Sequence, residues 1–261
     1  MAIQRIALGI EYDGAAFHGW QTQQQDRNVQ DVLQEALARV ADHPVSVVAA
    51  GRTDAGVHAA GQVVHFDTTA IRPSHAWLLG ANSYLPPDAR AQWVVPVADD
   101  FHARYGATAR TYRYTILRRP APSALLRQRA WWQHRSLDVA AITAAASALL
   151  GEHDFSAFRA AACQAKRPWR HIQSIGVHEQ GELLQLEFTA NAFLHHMVRN
   201  LVGTLCRIGR GEEDIGWAGR LLAARDRRHG GITAPAQGLS LIRVAYPARF
   251  SLPAGPVPRA A

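Results

Sequence analysis

The sequence predicts an α+β protein built as two closely packed halves. Two observations carry that reading. Strands and helices mix without the strict strand–helix alternation of a doubly wound sheet, and no Gly- or Ser-rich linker separates the halves. At 261 residues the chain can bury a sizeable core. Its 48% hydrophobic and 19% charged residues exclude a disordered or collagen-like chain.

Ile6, Leu8, Ile10 and Tyr12 alternate with small or polar residues, which predicts a first strand ending in the turn Asp13-Gly14. After a glutamine-rich loop, Asn28 caps a helix with Val29, Val32, Leu33, Leu37 and Val40 at helical spacing, and Asp31 suits its N-terminal dipole. Pro44 ends it, and Val45 to Ala50 reads as a buried strand followed by Gly51. A strand over Gln62–Phe66, a helix near Ser74–Asn82 and a strand over Trp93–Val97 follow. From Thr108 to Leu117, Tyr112, Tyr114 and Ile116 share one side of a strand, and Thr111, Arg113 and Thr115 the other. Asp138 caps a helix running to Leu150, with Gly151 as its stop. Ile172–Val177 and Leu183–Phe188 read as strands joined near Gln180-Gly181. Leu194, Met197, Val198, Leu201, Val202 and Leu205 form the apolar stripe of an amphipathic helix, with His195, His196, Arg199 and Arg207 on or near its other faces. A shorter helix after Asp214, a strand over Ser240–Tyr246 and a proline-containing tail complete the chain. The expected division is 1–106, 107–250 and a tail at 251–261.

Charge is distributed unevenly. The formal balance is +7, and Lys166 is the only lysine among 28 cationic residues. From Phe101 to Gly211 the net charge is +9, against −2 for the rest. Between Phe101 and Leu137 stand eight arginines and no acid, interleaved with Phe101, Tyr105, Tyr112, Tyr114, Trp131 and Trp132. Arginine forks bind phosphate and aromatic rings stack on bases, so this run points to a nucleic acid; a solvated basic face fits the same letters.

The densest candidate for chemistry is Gly51-Arg52-Thr53-Asp54-Ala55-Gly56-Val57-His58, directly after an apolar strand. Two glycines flanking an arginine, a hydroxyl and a carboxylate bring charged groups close to a ligand on a tight backbone path. The same residues also fit a plain turn in which Asp54 caps a following helix and pairs with Arg52. Asp54 has no second carboxylate nearby in sequence, so a glycosidase-type pair is not visible. His195 and His196 are adjacent and point to different faces of a helix, and neither HExxH nor a Cys/His quartet occurs. GxGxxG and GxxxxGK[ST] are also missing, so the chemistry is expected to need no cofactor and no metal. Cys163 and Cys206 have no CxxC spacing and are expected to be reduced thiols. No stretch reaches the length of a membrane span, and the N-terminus lacks a secretory pattern, so a cytoplasmic location is expected.

GRTDAGVHA, with FHARY (Phe101–Tyr105), ATARTYRY (Ala107–Tyr114), DFSAFR (Asp154–Arg159) and ANAFLHHMVRN (Ala190–Asn200), resembles the tRNA pseudouridine synthase A family over roughly Ile6 to Pro247. Nothing distinctive matches in Arg118–Arg135 or after Phe250. The resemblance implies the pseudouridine synthase fold, two half-domains around a central mostly antiparallel sheet with the active cleft between them, working as a homodimer on the tRNA anticodon arm without a cofactor. It implies isomerisation of uridine to pseudouridine at positions 38, 39 and 40. Asp54 matches the essential carboxylate, Arg199 the arginine that pairs with it, and Tyr112 the tyrosine that stacks on the target uracil. Arg52 matches a residue supporting base flipping, and Leu239 a pocket-lining leucine. Arg72, the segment Phe101, His102, Ala103, Arg104 and Tyr105, and the segment Ala162, Cys163, Gln164, Ala165 and Lys166 fall where the family touches tRNA. Two other functions fit parts of the pattern: a tRNA-binding protein or chaperone without chemistry, and a nucleoside hydrolase using Asp54.

Overall fold

The computed structural model describes residues 3–24 and 26–253. Of the tail expected at 251–261, residues 254–261 lie outside the described residues. The chain folds as two compact units, Met1–Arg110 with Ser240–Ala261, and Thr111–Leu239.

In the first unit, β1 (Gln4–Tyr12) pairs antiparallel with β3 (His58–Thr68) on one side and with β4 (Ala89–Val97) on the other. β2 (Val48–Ala49) adds to β3, and β10 (Leu239–Ala245) runs parallel to the start of β3, Ser240 opposite His58. That pairing is why β10, which the sequence order groups with 107–250, belongs from Ser240 onwards to the first unit. The strand expected over Val45–Ala50 shortens to β2. The Val47 N–H instead donates to the Gln34 side chain of the neighbouring helix at 3.1 Å.

One face of this sheet is covered by α1 (Val29–Ala41) and α2 (Ser74–Tyr84). Asn28 caps α1 as its sequence predicts, accepting from the Asp31 N–H at 2.9 Å while its amide donates to the Asp31 carboxylate at 2.7 Å. Val29, Leu33 and Leu37 of α1 are buried, and Trp77 of α2 meets Phe66 of β3 edge to face at 5.2 Å. The other face buries Ala7, Val63, Phe101 and Ala103, flanked by Trp93, Val244, Tyr246 and Phe250. Each large apolar side chain so buried stabilises the unit by about 1.5–3 kcal/mol. Gly9 is required here, because a Cβ would overlap the Trp93 indole.

The second unit holds a sheet in the order β5 (Ala109–Arg118), β9 (Leu183–Ala190), β8 (Trp169–Gln180), β7 (Gly151–Asp154), with β6 (Trp131–Gln133) parallel to β5; the first two residues of β5 close the first unit. β8 and β9 form an antiparallel hairpin through Gly181, whose φ of +58° favours glycine. Three helices accompany the sheet: α3 (Val139–Ala146), α4 (Met197–Gly209) and α5 (Trp217–Ala224). Asp138 caps α3 as expected, accepting from the Ala141 N–H at 2.9 Å. Its α-helical part stops at Ala146, and a 3-10 turn carries the chain to Leu149. α4 is the spine of the unit, with Leu201, Val202, Leu205 and Cys206 fully buried. Burial pushes the Cys206 thiol up to about 12, so it is a neutral core residue.

Candidate active site

Asp54 stands at the tip of a loop whose backbone is fixed on both sides. Before it, the Ala50 N–H donates to Val63 of β3 at 2.8 Å, and the Arg110 guanidinium grips the Ala50 carbonyl at 2.9 Å. The Gln62 side chain then pairs with both backbone groups of Gly51, donating to its carbonyl at 2.6 Å and accepting from its N–H at 3.4 Å. The Thr53 carbonyl accepts from the Trp20 N–H at 3.0 Å, and its hydroxyl meets the Tyr12 phenol at 2.8 Å. After it, the Asp54 carbonyl accepts from the Val57 N–H at 3.1 Å in a turn that Gly56 permits with φ +77°. The loop enters β3 directly, so Asp54 caps no helix and that reading of the motif falls. Arg52 is exposed and Asp54 half-buried, while Thr53 between them is buried. The arginine is thus open to solvent and the uncharged hydroxyl faces in, with the carboxylate between the two in burial.

A second loop lies beneath the first. Gly19, at φ +92°, approaches the backbone of Thr53 to Ala55 so closely that a Cβ would sit 2.7 Å from the Thr53 oxygen. Gly14 likewise leaves no room for a Cβ beside the Val57 carbonyl, and its N–H donates to Nδ1 of buried His58 at 3.0 Å. Sequence reasoning passed over Gly19, Tyr12 and Gln62. A signal was present for Gln62, a polar residue at an inward position of an otherwise apolar strand.

The FHARY segment divides by burial. Phe101 and Ala103 are fully buried core residues, so their side chains do not face a ligand as the resemblance led one to expect of the whole segment. His102 is half-buried, and Arg104 and Tyr105 are exposed. The Tyr105 ring lies on His102 at 4.5 Å, and the Arg104 guanidinium stands 5.6 Å from the Tyr105 ring centre. His65 supports this surface from β3. Its Nδ1 accepts the Ala103 N–H at 3.1 Å, and burial first, then the neighbouring His102 and Arg5 charges, lower its pKa to about 4. Arg72 is exposed ahead of α2.

In the second unit, Tyr112 of β5 is buried and meets Phe193 edge to face at 5.1 Å. Arg199, in the first turn of α4, is half-buried. Its Nε donates to the Ala234 carbonyl at 2.7 Å, while the Ala234 N–H donates to the Arg199 carbonyl at 3.1 Å. Gly203, one turn on, leaves space for that loop, since a Cβ there would overlap the Ile232 carbonyl. Asn200 ties the surroundings together, donating to Phe158 at 2.8 Å and accepting from Thr233 at 2.7 Å. His195 and His196 do not occupy different helix faces: α4 begins only at Met197, His196 is left-handed at φ +61°, and the two rings lie 4.1 Å apart. Leu194 also precedes the helix. Leu239 is buried at the head of β10. In the segment 162–166, Ala162, Gln164 and Lys166 are exposed, and Cys163 and Ala165 half-buried.

The basic run is largely spent on structure. Arg113 pairs with Glu187 at 2.7 Å, Arg118 with Glu179 at 2.7 Å, Arg119 with Glu182 at 3.3 Å and Arg135 with Glu212 at 3.5 Å. Arg110 is buried against backbone carbonyls. Tyr112 and Tyr114 are core, which leaves Arg104 with Tyr105, Arg127, Arg129 and Trp132, and Arg135 of the Glu212 pair, as the exposed basic and aromatic residues of the run.

Comparison with known proteins decides the family. A sequence profile described as tRNA pseudouridine synthase matches residues 9–106 and 145–247. The chain belongs to the tRNA pseudouridine synthase family. Proteins named tRNA pseudouridine synthase A from Alcanivorax borkumensis and Xanthomonas euvesicatoria are each 54% identical to it, the first over 97% of this chain and 95% of its own length, the second over 96% and 98%. A protein of the same name from Coxiella burnetii is 51% identical over 97% of both chains. The first matched segment carries Arg52, Asp54, Arg72 and Phe101–Tyr105. The second carries Ala162–Lys166, Arg199 and Leu239. Tyr112 falls between them.

Proposed function

We propose that this chain is a tRNA pseudouridine synthase that isomerises uridine at positions 38, 39 and 40 of the anticodon stem-loop, with Asp54 as the essential carboxylate. The observation that carries the reading is the presentation of Asp54: a half-buried carboxylate on a loop pinned on both sides, with an exposed arginine two residues before it. Membership of the family supplies the reaction class. The N1–C1′ glycosidic bond breaks, the uracil turns, and C1′ rejoins at C5. The C5 proton leaves and N1 gains one, so atoms and electrons balance and no oxidant or reductant is consumed. Attack on C1′, addition to the ring and removal of the C2′ proton all ask the same of Asp54, an ionised carboxylate held in place.

Tyr112 is assigned to stack on the target uracil, Leu239 to line its pocket, and Arg199 to keep the carboxylate charged. Arg52 is assigned to support extrusion of the base from the stem, which costs a few kcal/mol of unstacking. Arg72, His102, Arg104, Tyr105 and the exposed residues of Ala162–Lys166 are assigned to the tRNA backbone. The reading includes action as a homodimer and a cytoplasmic location. Among the described residues no helix is long and apolar enough to cross a membrane.

The test incubates purified protein with unmodified tRNA transcripts carrying uridine at 38, 39 or 40. Pseudouridine is mapped by carbodiimide-dependent reverse-transcription stops, with Asp54→Ala alongside. Stops at those positions for the wild type alone are expected. Salt-sensitive tRNA binding without stops would replace the reading with a non-catalytic tRNA-binding protein, and release of free uracil would replace it with a hydrolase.

A further inference from the structure

We propose that Tyr12 and Gln62 are positioning residues for Asp54, acting through Thr53 and Gly51 as a buried clamp beneath the loop. The inference rests on the assignment of Asp54 as the reactive carboxylate and adds how the fold holds it.

Three polar side chains converge where an apolar core would be simpler. Gln62 is 0% exposed, Tyr12 3% and Thr53 7%. Burying such groups is costly unless each is hydrogen-bonded, and here the partners are each other and the loop. The Tyr12 hydroxyl meets Thr53 Oγ1 at 2.8 Å, and Gln62 Nε2 reaches the Gly51 carbonyl at 2.6 Å and the Tyr12 hydroxyl at 3.5 Å. Gly51 stands where the β2–β3 ladder ends, so the Gln62 amide continues the ladder by one residue with a side chain in place of a strand. The clamp thus grips Gly51 and Thr53, so the chain that leads into Asp54 is fixed at Gly51 and again at Thr53. Both anchors sit on rigid strands, Tyr12 at the end of β1 and Gln62 within β3. Burial raises the Tyr12 phenol to about 12, so it stays neutral and the hydrogen bonds persist across the working pH range.

A reacting group displaced by about 1 Å loses on the order of a hundredfold in rate, and a loop freed at one of two grips is displaced by less. Tyr12→Phe and Thr53→Val are each expected to lower kcat for pseudouridine formation on the order of tenfold with KM within about twofold of wild type. The pH profile keeps its shape, because the Tyr12 phenol titrates only at about 12 and the Thr53 hydroxyl does not titrate. The double variant Tyr12→Phe/Thr53→Val is expected to be no slower than the worse single variant, since the two remove one shared bond. Thr53→Ser, which keeps the hydroxyl, restores kcat to within about threefold of wild type. Gln62→Met, close in volume and unable to bond Gly51, is read by amide hydrogen exchange, with faster exchange expected in peptides covering 51–57 and unchanged exchange in the rest of β1 and β3.

An unchanged kcat in both Tyr12→Phe and Thr53→Val overturns the proposal. So does an equal loss in Thr53→Ser, or exchange that rises throughout β1 and β3, which marks a general loosening of the core. Wild-type protein that forms no pseudouridine overturns the assignment of function instead, and the exchange measurement still decides whether the clamp holds the loop.

Discussion

Two stretches of this chain look equally functional as strings of letters and differ sharply once folded. In Gly51–Gly56 Arg52 is exposed and Asp54 half-buried, and uncharged groups from β1 and β3 hold the loop from beneath. In the arginine run of 101–137, four of eight guanidinium groups are engaged by carboxylates, and Arg110 is buried against carbonyl oxygens. The first stretch is held mainly through its backbone, whereas the second engages half of its arginines with carboxylates of the fold. Local charge density is therefore a poor guide to the surface a ligand meets. The better guide is whether acids lie on the neighbouring strands, and in β8 and β9 they do, as Glu179 and Glu187.

The sharpest way to break the comparison is to remove one charge from each stretch. Asp54→Ala is expected to lower pseudouridine formation by at least about a thousandfold with tRNA affinity within about twofold. Arg118→Gln, at the same assay, is expected to leave the rate within about twofold, because Arg118 is half-buried and its charge is already engaged by Glu179 within the fold. A rate loss for Arg118→Gln comparable with that of Asp54→Ala would show that the run carries chemistry after all.

A second substitution strikes the loop from below. Gly19 adopts φ +92°, and a Cβ would press on the Thr53 carbonyl and the Asp54–Ala55 peptide. Gly19→Ala is expected to cost about 2 kcal/mol from backbone strain and overpacking together, measured by urea denaturation, and to slow the reaction as well. Unchanged stability and rate would mean that the underlying loop moves aside and gives the Asp54 loop no support.

Much of this was legible in the sequence. Asn28 and Asp138 cap the helices they were expected to cap, because capping is local chemistry that few tertiary contacts override. Alternation placed Tyr112, Tyr114 and Ile116 on the buried side of β5. What sequence could not give depends on contacts between residues distant in the chain. β10 joins β3 across more than 170 positions, His196 leaves the helix to adopt a left-handed turn, and Gln62 reaches Gly51 only because β2 and β3 are adjacent. The Asp54 motif was readable because its glycines and charges are contiguous. Its clamp was not, because it is assembled from three separate segments.

Where the arginine run begins, at FHARY, pH offers a smaller and sharper probe. His65 Nδ1 accepts the Ala103 N–H, so the fold binds the neutral ring, and the folded-state pKa of about 4 lies below the ordinary 6.5. Between those values the unfolded chain takes up a proton that the folded one does not, so this contribution to stability is complete above pH 6.5 and is lost as pH falls towards 4. His65→Asn, whose carbonyl oxygen can replace Nδ1 as acceptor, is expected to flatten the urea-midpoint curve over that window relative to wild type. Parallel curves would mean that His65 titrates normally and that the surface under Tyr105 is wetter than its packing indicates.

The smallest effect separates the outward from the inward arginines by salt. A cation that neutralises one phosphate contributes about 0.9 to the slope of log affinity against log salt on duplex nucleic acid, and somewhat less on single strands. Arg104→Ala and Lys166→Ala are each expected to lower that slope for tRNA by roughly one unit or less and to weaken binding on all tRNA sequences alike. Arg113→Gln removes the same formal charge from the pair with Glu187, yet is expected to leave the slope unchanged, because that guanidinium already has its counter-ion within the fold. Equal changes in slope for Arg104→Ala and Arg113→Gln would mean that net charge alone governs tRNA affinity, and the distinction between spent and available arginines would lose its functional meaning.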